Sequence, residues 1–213
     1  MVRVHEHVPG AALLEELRPA TPLAELVEAG RDDEATSILA DIVAAMLEVT
    51  PATAGHATAA DQRADFDRYL ASGDNGIATA LVEEARERWA VLCRTQTSVR
   101  LLHGDLQHHN ILRDAERGWV AIDPKGVVAE IELELAPALR NPIGMPELYT
   151  SAAIERRVSR LADVLCVDPG RVVAWTFAQA VLSAIWTIED GGAVDPDGPA
   201  LSVARAAREL LLR

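Results

Sequence analysis

Between Asp33 and Thr50 the apolar residues recur three and four apart: Ala35, Ile38, Leu39, Ile42, Val43, Met46 and Leu47 share one wide face. That spacing predicts a helix opened by an aspartate cap at Asp32 or Asp33 and closed at Thr50-Pro51. The residue before a proline is driven out of the helical region, which is why the pattern stops there. A second long helix is predicted from Ile77 onward by Leu81, Ala85, Trp89 and Leu92. Between the two, "PATAGHATAADQ" reads as a loose connection and "DFDRYLASGDNG" as a short helix and turn. Ahead of them, "VRVHEHV" alternates as one strand. "LLEELRPATPLAELVEAG" then reads as a short segment, a turn at Pro19 to Pro22 and a helical turn or two.

The period changes after Arg100. The apolar runs become short, "VRLL", "NIL" and "WVAI", separated by tight polar stretches. "RDAERG" carries turn residues, so "NILRDAERGWVAID" is predicted to be a hairpin. "RNPIGMP" is a loop, and "VDPG" supplies an aspartate cap with proline at the first helical position. The apolar run "VVAWTFAQAVLSAIW" follows, then the loop "DGGAVDPDGPA" and a last amphipathic helix, "LSVARAARELLLR". Many helices with one small hairpin predict an α+β chain. Its 213 residues form one sizeable core with no linker long enough to divide it.

Composition narrows the picture. A hydrophobic share of 49% excludes global disorder. The net charge of -13 disfavours a nucleic-acid partner, which needs a lysine and arginine surface, and suits a cationic small molecule. Residues 172–186 fall short of the roughly 20 residues that span a bilayer, and Thr176, Gln179 and Ser183 interrupt them, so a core helix is predicted and no membrane partner. "MVRVHEHVPG" does not read as a signal peptide, and Cys93 and Cys166 lie in predicted helices with nothing to suggest a disulfide framework. A cytoplasmic location is the default expectation.

The candidate chemistry lies in "LLHGDLQHHNIL" and "VAIDPKG". Phosphoryl transfer to an alcohol needs a carboxylate to orient the hydroxyl and take its proton, and hard oxygen ligands to hold Mg²⁺ against nucleotide phosphates. Asp105 followed five residues later by Asn110, with Asp123 at the end of the next strand, fits that plan. Hairpin geometry would bring Asn110 and Asp123 to one end of paired strands. Taken singly, each residue has a plainer role as a turn cap or strand exit. A metal-dependent hydrolase is the rival chemistry, with His103, Asp105, His108, His109 and Asp123 as a ligand-rich cluster suited to zinc.

"HGDLQHHNIL" with "AIDPKG" closely resembles the motif pair of the aminoglycoside and hydroxyurea antibiotic-resistance phosphotransferases, in particular the streptomycin 6-kinase branch. "GVVAEIELELAPALRNP" and "WTFAQAVLSAIWTIEDG" continue the likeness, and "ALLEELRPATPLAEL" is similar to the family's hinge, where the adenine edge is held. The resemblance implies a protein-kinase-like fold, mainly its helical C-terminal lobe with a small catalytic-loop β-hairpin, and an ATP- and Mg-dependent transfer to a cationic acceptor such as streptomycin. It makes Asp105 the catalytic base, Asn110 and Asp123 the magnesium ligands, and His103 the histidine that fixes the catalytic loop. Lys125 would lie beside the metal site, either on a phosphate or paired with an acidic neighbour. Glu130, Glu132 and Glu134 would line the acceptor pocket.

Two local departures stand out. His109 occupies a position where the family carries glycine, predicting either a strained angle or a different loop. "AEIELELAP" lacks the family's proline and reads as strand or helix rather than turn. The front departs further. No glycine-rich loop precedes His103, and Lys125 is the only lysine in the chain. Residues 1–20 are therefore expected to be a remnant of the smaller lobe's strand and hinge, and residues 21–213 the larger lobe. Nucleotide binding is expected to be weak or absent. A catalytically silent lobe acting as a binding domain is the alternative this favours. Apolar residues of "VRVHEHVPGAALL" are expected to be exposed, a surface that invites self-association.

Overall fold

The computed structural model describes all 213 residues as an α+β fold. Strands β1 (Val4–Val8) and β2 (Ala11–Leu14) form an antiparallel hairpin that is exposed along its whole length. Val4, Val8, Leu13 and Leu14 stand in solvent, as their apolar run ahead of the hinge-like segment predicted. The hairpin meets the body of the chain where the Val2 N–H donates to the Ala121 carbonyl.

The expected turn at Pro19 to Pro22 is instead strand β3 (Pro19–Pro22). Proline cannot donate to a ladder, so it is confined to sheet edges. β3 is the edge of a three-stranded antiparallel sheet whose register is irregular between its two prolines. Helices α1 (Ala24–Glu28) and α2 (Asp32–Leu47) follow. The predicted aspartate cap is not made: Arg31 occupies the cap position without a side-chain bond, and Asp32 is drawn away to α7. Of the predicted α2 face, Ala35, Leu39 and Val43 are fully buried and the others pack partly against the core.

The stretch read as loose contains β4 (Ala57–Thr58) and the start of α3 (Ala59–Ser72), longer than predicted. Thr58 and Asp61 exchange side-chain and backbone bonds in a capping box, a start signal hidden by the loop-like composition around it. Then come α4 (Thr79–Arg94), β5 (Arg100–Leu102), β6 (Ile111–Asp114), β7 (Gly118–Ala121) and β8 (Val127–Ala129). β6 and β7 pair antiparallel as predicted, with Asp114 opposite Gly118 at the turn, and β6 also pairs with β3. β8 pairs with β5 antiparallel and with β4 parallel.

The remaining chain is helical: α5 (Ile131–Glu134), α6 (Ala136–Leu139), α7 (Ser151–Leu165), α8 (Pro169–Glu189) and α9 (Pro199–Leu211). α8 is long and apolar enough to cross a membrane by length and composition, but its side chains are the core of this fold. Trp89 of α4 meets Trp175 of α8 edge to face at 4.9 Å and lies against Phe66 of α3. Such pairs add to the burial of their large apolar surfaces. Cys93 is in α4, whereas Cys166 caps α7 just past its end, and both are free thiols.

Asp168 caps α8 through the N–H groups of Gly170 and Arg171, with Pro169 at the first position, as the sequence predicted. Asp168→Ala is expected to lower stability by about 1 kcal/mol, read from the urea midpoint.

Candidate active site

The site is built where the β6–β7 hairpin opens. Ile111 lies opposite Ala121, and the Ile122 N–H donates to the Asn110 carbonyl at 2.9 Å. This pairing holds Asn110 and Asp123 at the same end of the two strands, the geometry expected from the sequence. Asp105 is brought in by Asn110 itself: the side-chain amide donates to the Asp105 carbonyl at 2.8 Å and to its Oδ2 at 3.2 Å.

His103 ties the two loops together from beneath. It is buried, and its Nδ1 accepts from the Asp105 N–H at 3.3 Å. That contact assigns the tautomer, so Nε2 carries the proton and donates to the Ile122 carbonyl at 2.8 Å. Burial lowers the His103 pKa; the Ile122 bond and then the charges of Asp105 and Asp123 oppose it. The ring is thus a neutral brace between the segments that carry the two aspartates. Gly104 must be glycine: its φ is +82°, and a Cβ there would lie 3.4 Å from that of Val127.

Asp105 is half-buried, and burial raises its carboxyl pKa while Arg140 and then Lys125 pull it down. Arg140 was not singled out from the sequence. Its only signal is a guanidinium inside the apolar run "ELAPALRNP". Its Nε donates to Gln179 of α8 at 3.2 Å, and the charge of Asp105 acts on it favourably. Asp123 adopts φ +57°, a left-handed angle that a non-glycine residue holds only under constraint. Its Oδ2 accepts from Lys125 Nζ at 2.8 Å, with both side chains exposed.

The donor set suits a hard divalent cation. Because the Asn110 amide nitrogen is committed to Asp105, its Oδ1 is left as a free oxygen. The Asp123 carboxylate supplies further exposed oxygens.

The sequence grouped Glu130, Glu132 and Glu134 as acceptor-facing, and the structure separates them. Glu130 is buried, with its carboxylate bonded to Arg171 Nε and Trp175 Nε1 and its N–H to Gln96. It ties β8 to α8. Glu134 is buried beneath the loop that carries Asp105, where both its oxygens accept from the Gly104 N–H at 3.2 Å. Neither carboxylate faces solvent, so the acceptor-lining expectation is corrected for these two. Glu130, the N-cap of α5, and Glu134 lie four residues apart and so face inward together, which the acceptor-pocket reading of "EIELE" missed. Glu132 remains half-buried, its pKa raised by burial.

Burial raises the Glu134 pKa from 4.5 to about 7, against the lowering effect of the backbone N–H bonds. A carboxyl whose folded pKa is raised stabilises the fold below its unfolded value and loses that contribution as pH rises through the folded value. Glu134→Gln is therefore expected to remove a decline in stability between pH 4.5 and 7. His103 titrates with the opposite sign, so the readout is the difference between variant and wild-type urea curves across that range.

The zinc-hydrolase cluster does not form. No three His, Cys, Asp or Glu side chains come close enough to share a metal ion. His108 is buried among Thr36, Leu39, Ala138, Leu139, Arg157 and Leu161 with neither ring nitrogen bonded, and burial lowers its pKa to about 3. His109, its neighbour, points to solvent. His109 also escapes the predicted strain. It lies in a 3-10 turn spanning His108–Asn110 without a positive φ, and the Gln107 side chain accepts from its N–H at 2.8 Å.

Residues 1–191 match the family model described as aminoglycoside/hydroxyurea antibiotic resistance kinase. The chain belongs to this family. A streptomycin 3''-kinase of Klebsiella pneumoniae is 30% identical over 227 residues, 98% of this chain and 79% of that protein. A streptomycin 6-kinase of Streptomyces glaucescens is 29% identical across 98% of this chain and 68% of its own length. A hydroxyurea phosphotransferase of Kitasatospora aureofaciens is 31% identical over 159 residues, covering 75% of this chain and 40% of that one. Among solved structures, the choline kinase LicA of Streptococcus pneumoniae superposes with a TM-score of 0.62 over 100% of this chain and 75% of its own, at 18% identity. A Plasmodium vivax ethanolamine kinase gives 0.59 over 100% and 67%, at 11% identity. At such identities the structures establish the fold, that of the small-molecule kinases. The family places this chain among nucleotide-dependent phosphotransferases that use ATP and magnesium.

Proposed function

We propose that this chain transfers the γ-phosphoryl group of ATP to an alcohol of a small cationic acceptor, with an aminoglycoside such as streptomycin as the leading candidate. The observation that carries the reading is the Asn110 amide. Its nitrogen bonds Asp105 at two points, which leaves Oδ1 without a partner, and Asn110 and Asp123 flank the same end of β6 and β7. In this reading Asp105 orients the acceptor hydroxyl and takes its proton. Asn110 and Asp123 hold magnesium, which supplies charge neutralisation at the phosphates. His103 braces the loop, and Arg140 offsets part of the rise in the Asp105 pKa that burial causes. Residues 1–20 would be the strand and hinge of a protein-kinase-like small lobe, and residues 21–213 the helical lobe.

The cationic acceptor is supported by the net charge of -13, which draws cations toward the molecule. The relatives' names divide between two positions on streptomycin and a hydroxyurea, so the acceptor is best tested by panel. Release of ADP is to be measured with streptomycin, other aminocyclitols, hydroxyurea and choline. Stimulation by a streptomycin-like aminocyclitol above all others is the expected result. Equal background release with every acceptor would defeat the proposal.

A second reading rests on one observation: residues 1–124 contain no lysine to clamp the nucleotide phosphates. A catalytically silent member of the fold that binds its ligand without turnover would satisfy it. Acceptor binding by calorimetry with no ADP release in the same preparation would favour that reading.

A further inference from the structure

We infer that Lys125 is a phosphate-binding side chain that exchanges between Asp123 and the nucleotide: a divalent cation taking the Asp123 carboxylate frees the ammonium for a phosphate oxygen. The inference rests on the proposed phosphotransferase site and adds to it a cationic contact for the phosphates.

The backbone of Lys125 is fixed while its side chain is not. Its N–H and that of Gly126 both donate to the His103 carbonyl, at 2.8 and 3.0 Å. Left-handed angles at Asp123 and Gly126 fold this loop tightly around that carbonyl. Beyond Cα, the only bond of Lys125 is to Asp123 Oδ2. The two side chains are 55% and 60% exposed, so the pair is screened by solvent and weakly held. Lys125 borders a cavity of about 300 Å³ that Met46, Pro51, His56 and Leu101 also line, and four methylenes have room to change rotamer there.

Charge balance supplies the direction. Metal and ammonium compete for the same carboxylate, and a hard divalent cation with Asn110 Oδ1 as second ligand has the advantage. Displaced from Asp123, the ammonium stays tethered two residues from the metal ligand, where polyphosphate charge collects. The charges of both Asp123 and Asp105 act on the ammonium. As the only lysine in the chain, it is the one compact cation able to act as a point charge on phosphate.

The alternative is a permanent staple that holds the loop through Asp123. Lys125→Met separates the two, because the exchange moves two affinities in opposite directions. With Mn²⁺ alone, followed by its paramagnetic signal, the variant is expected to bind about threefold more tightly, the equivalent of losing one exposed competing ion pair. With magnesium tripolyphosphate, followed by calorimetry, it is expected to bind about tenfold more weakly, as for loss of one charge-assisted bond. Lys125→Arg should recover part of the second affinity. Parallel loss of both affinities would mark a staple and overturn the inference. So would unchanged tripolyphosphate affinity, or a wild-type chain that does not bind the tripolyphosphate at all. A chain that holds tripolyphosphate through Lys125 yet releases no ADP would uphold this inference and defeat the kinase reading. Acceptor-dependent ADP release with tripolyphosphate affinity unchanged by Lys125→Met would do the reverse.

Discussion

Asp105→Asn is expected to lower acceptor-dependent ADP release by about 10²- to 10⁴-fold, the range for a positioned general base, while leaving the fold unchanged. The substitution is nearly isosteric and spares the bond between the Asn110 amide and the Asp105 carbonyl, so the loop keeps its main tie. The His103 ring still accepts the residue-105 N–H. What disappears is the negative charge that accepts the hydroxyl proton. An unchanged urea midpoint with turnover lost is the expected pair of results. Turnover within a few-fold of wild type would remove Asp105 from the chemistry.

Arg157→Met is expected to lower stability by about 3 kcal/mol, the lower end for breaking a buried ion pair. Arg157 of α7 is 2% exposed and forks onto Asp32 at the start of α2, while its Nη1 donates to the Asn141 carbonyl at 3.0 Å. The lower end applies because Arg156 also reaches Asp32, at 2.7 Å, and keeps part of its charge paired. Burial pushes the Asp32 carboxyl up, and the guanidiniums of Arg157 and Arg156 more than reverse this, leaving it below its ordinary value of 3.8. A carboxyl with a lowered folded pKa stabilises above its unfolded value and loses that contribution as pH falls through the folded one. The variant should therefore show a smaller loss of stability below pH 3.8 as well as a lower urea midpoint.

These two residues differ in how visible they are in the sequence. The placement of Asp105, Asn110 and Asp123 at one end of the hairpin was legible because it follows from short-range order: a five-residue spacing, then a hairpin whose turn residues announce it. The helix of "TSILADIVAAML" was legible from its period, and that of "VVAWTFAQAVLSAIW" from its apolar run and the Asp168-Pro169 start signal. Asp32 was read as a cap because nothing local reveals a partner 125 positions away. The capping box at Thr58 was lost in a run of alanine, threonine and glycine that resembles a loop. Glu130 and Glu134 were expected to line the acceptor pocket, because a carboxylate without a visible partner is expected to reach solvent or a ligand. Their burial depends on Arg171, Trp175 and the Gly104 N–H, which arrive from distant segments. Strand β3 was hidden by its prolines, which permit an edge position but do not advertise one.

The central claim is that Asn110 and Asp123 share one divalent ion next to Asp105. The most direct measurement is an anomalous diffraction map of crystals grown with Mn²⁺ and a non-hydrolysable ATP analogue. A single peak about 2.0–2.3 Å from Asn110 Oδ1 and an Asp123 carboxylate oxygen, with the γ-phosphate facing Asp105, is the predicted result. Manganese bound elsewhere, or held by only one of the two residues with the analogue ordered, would contradict the account.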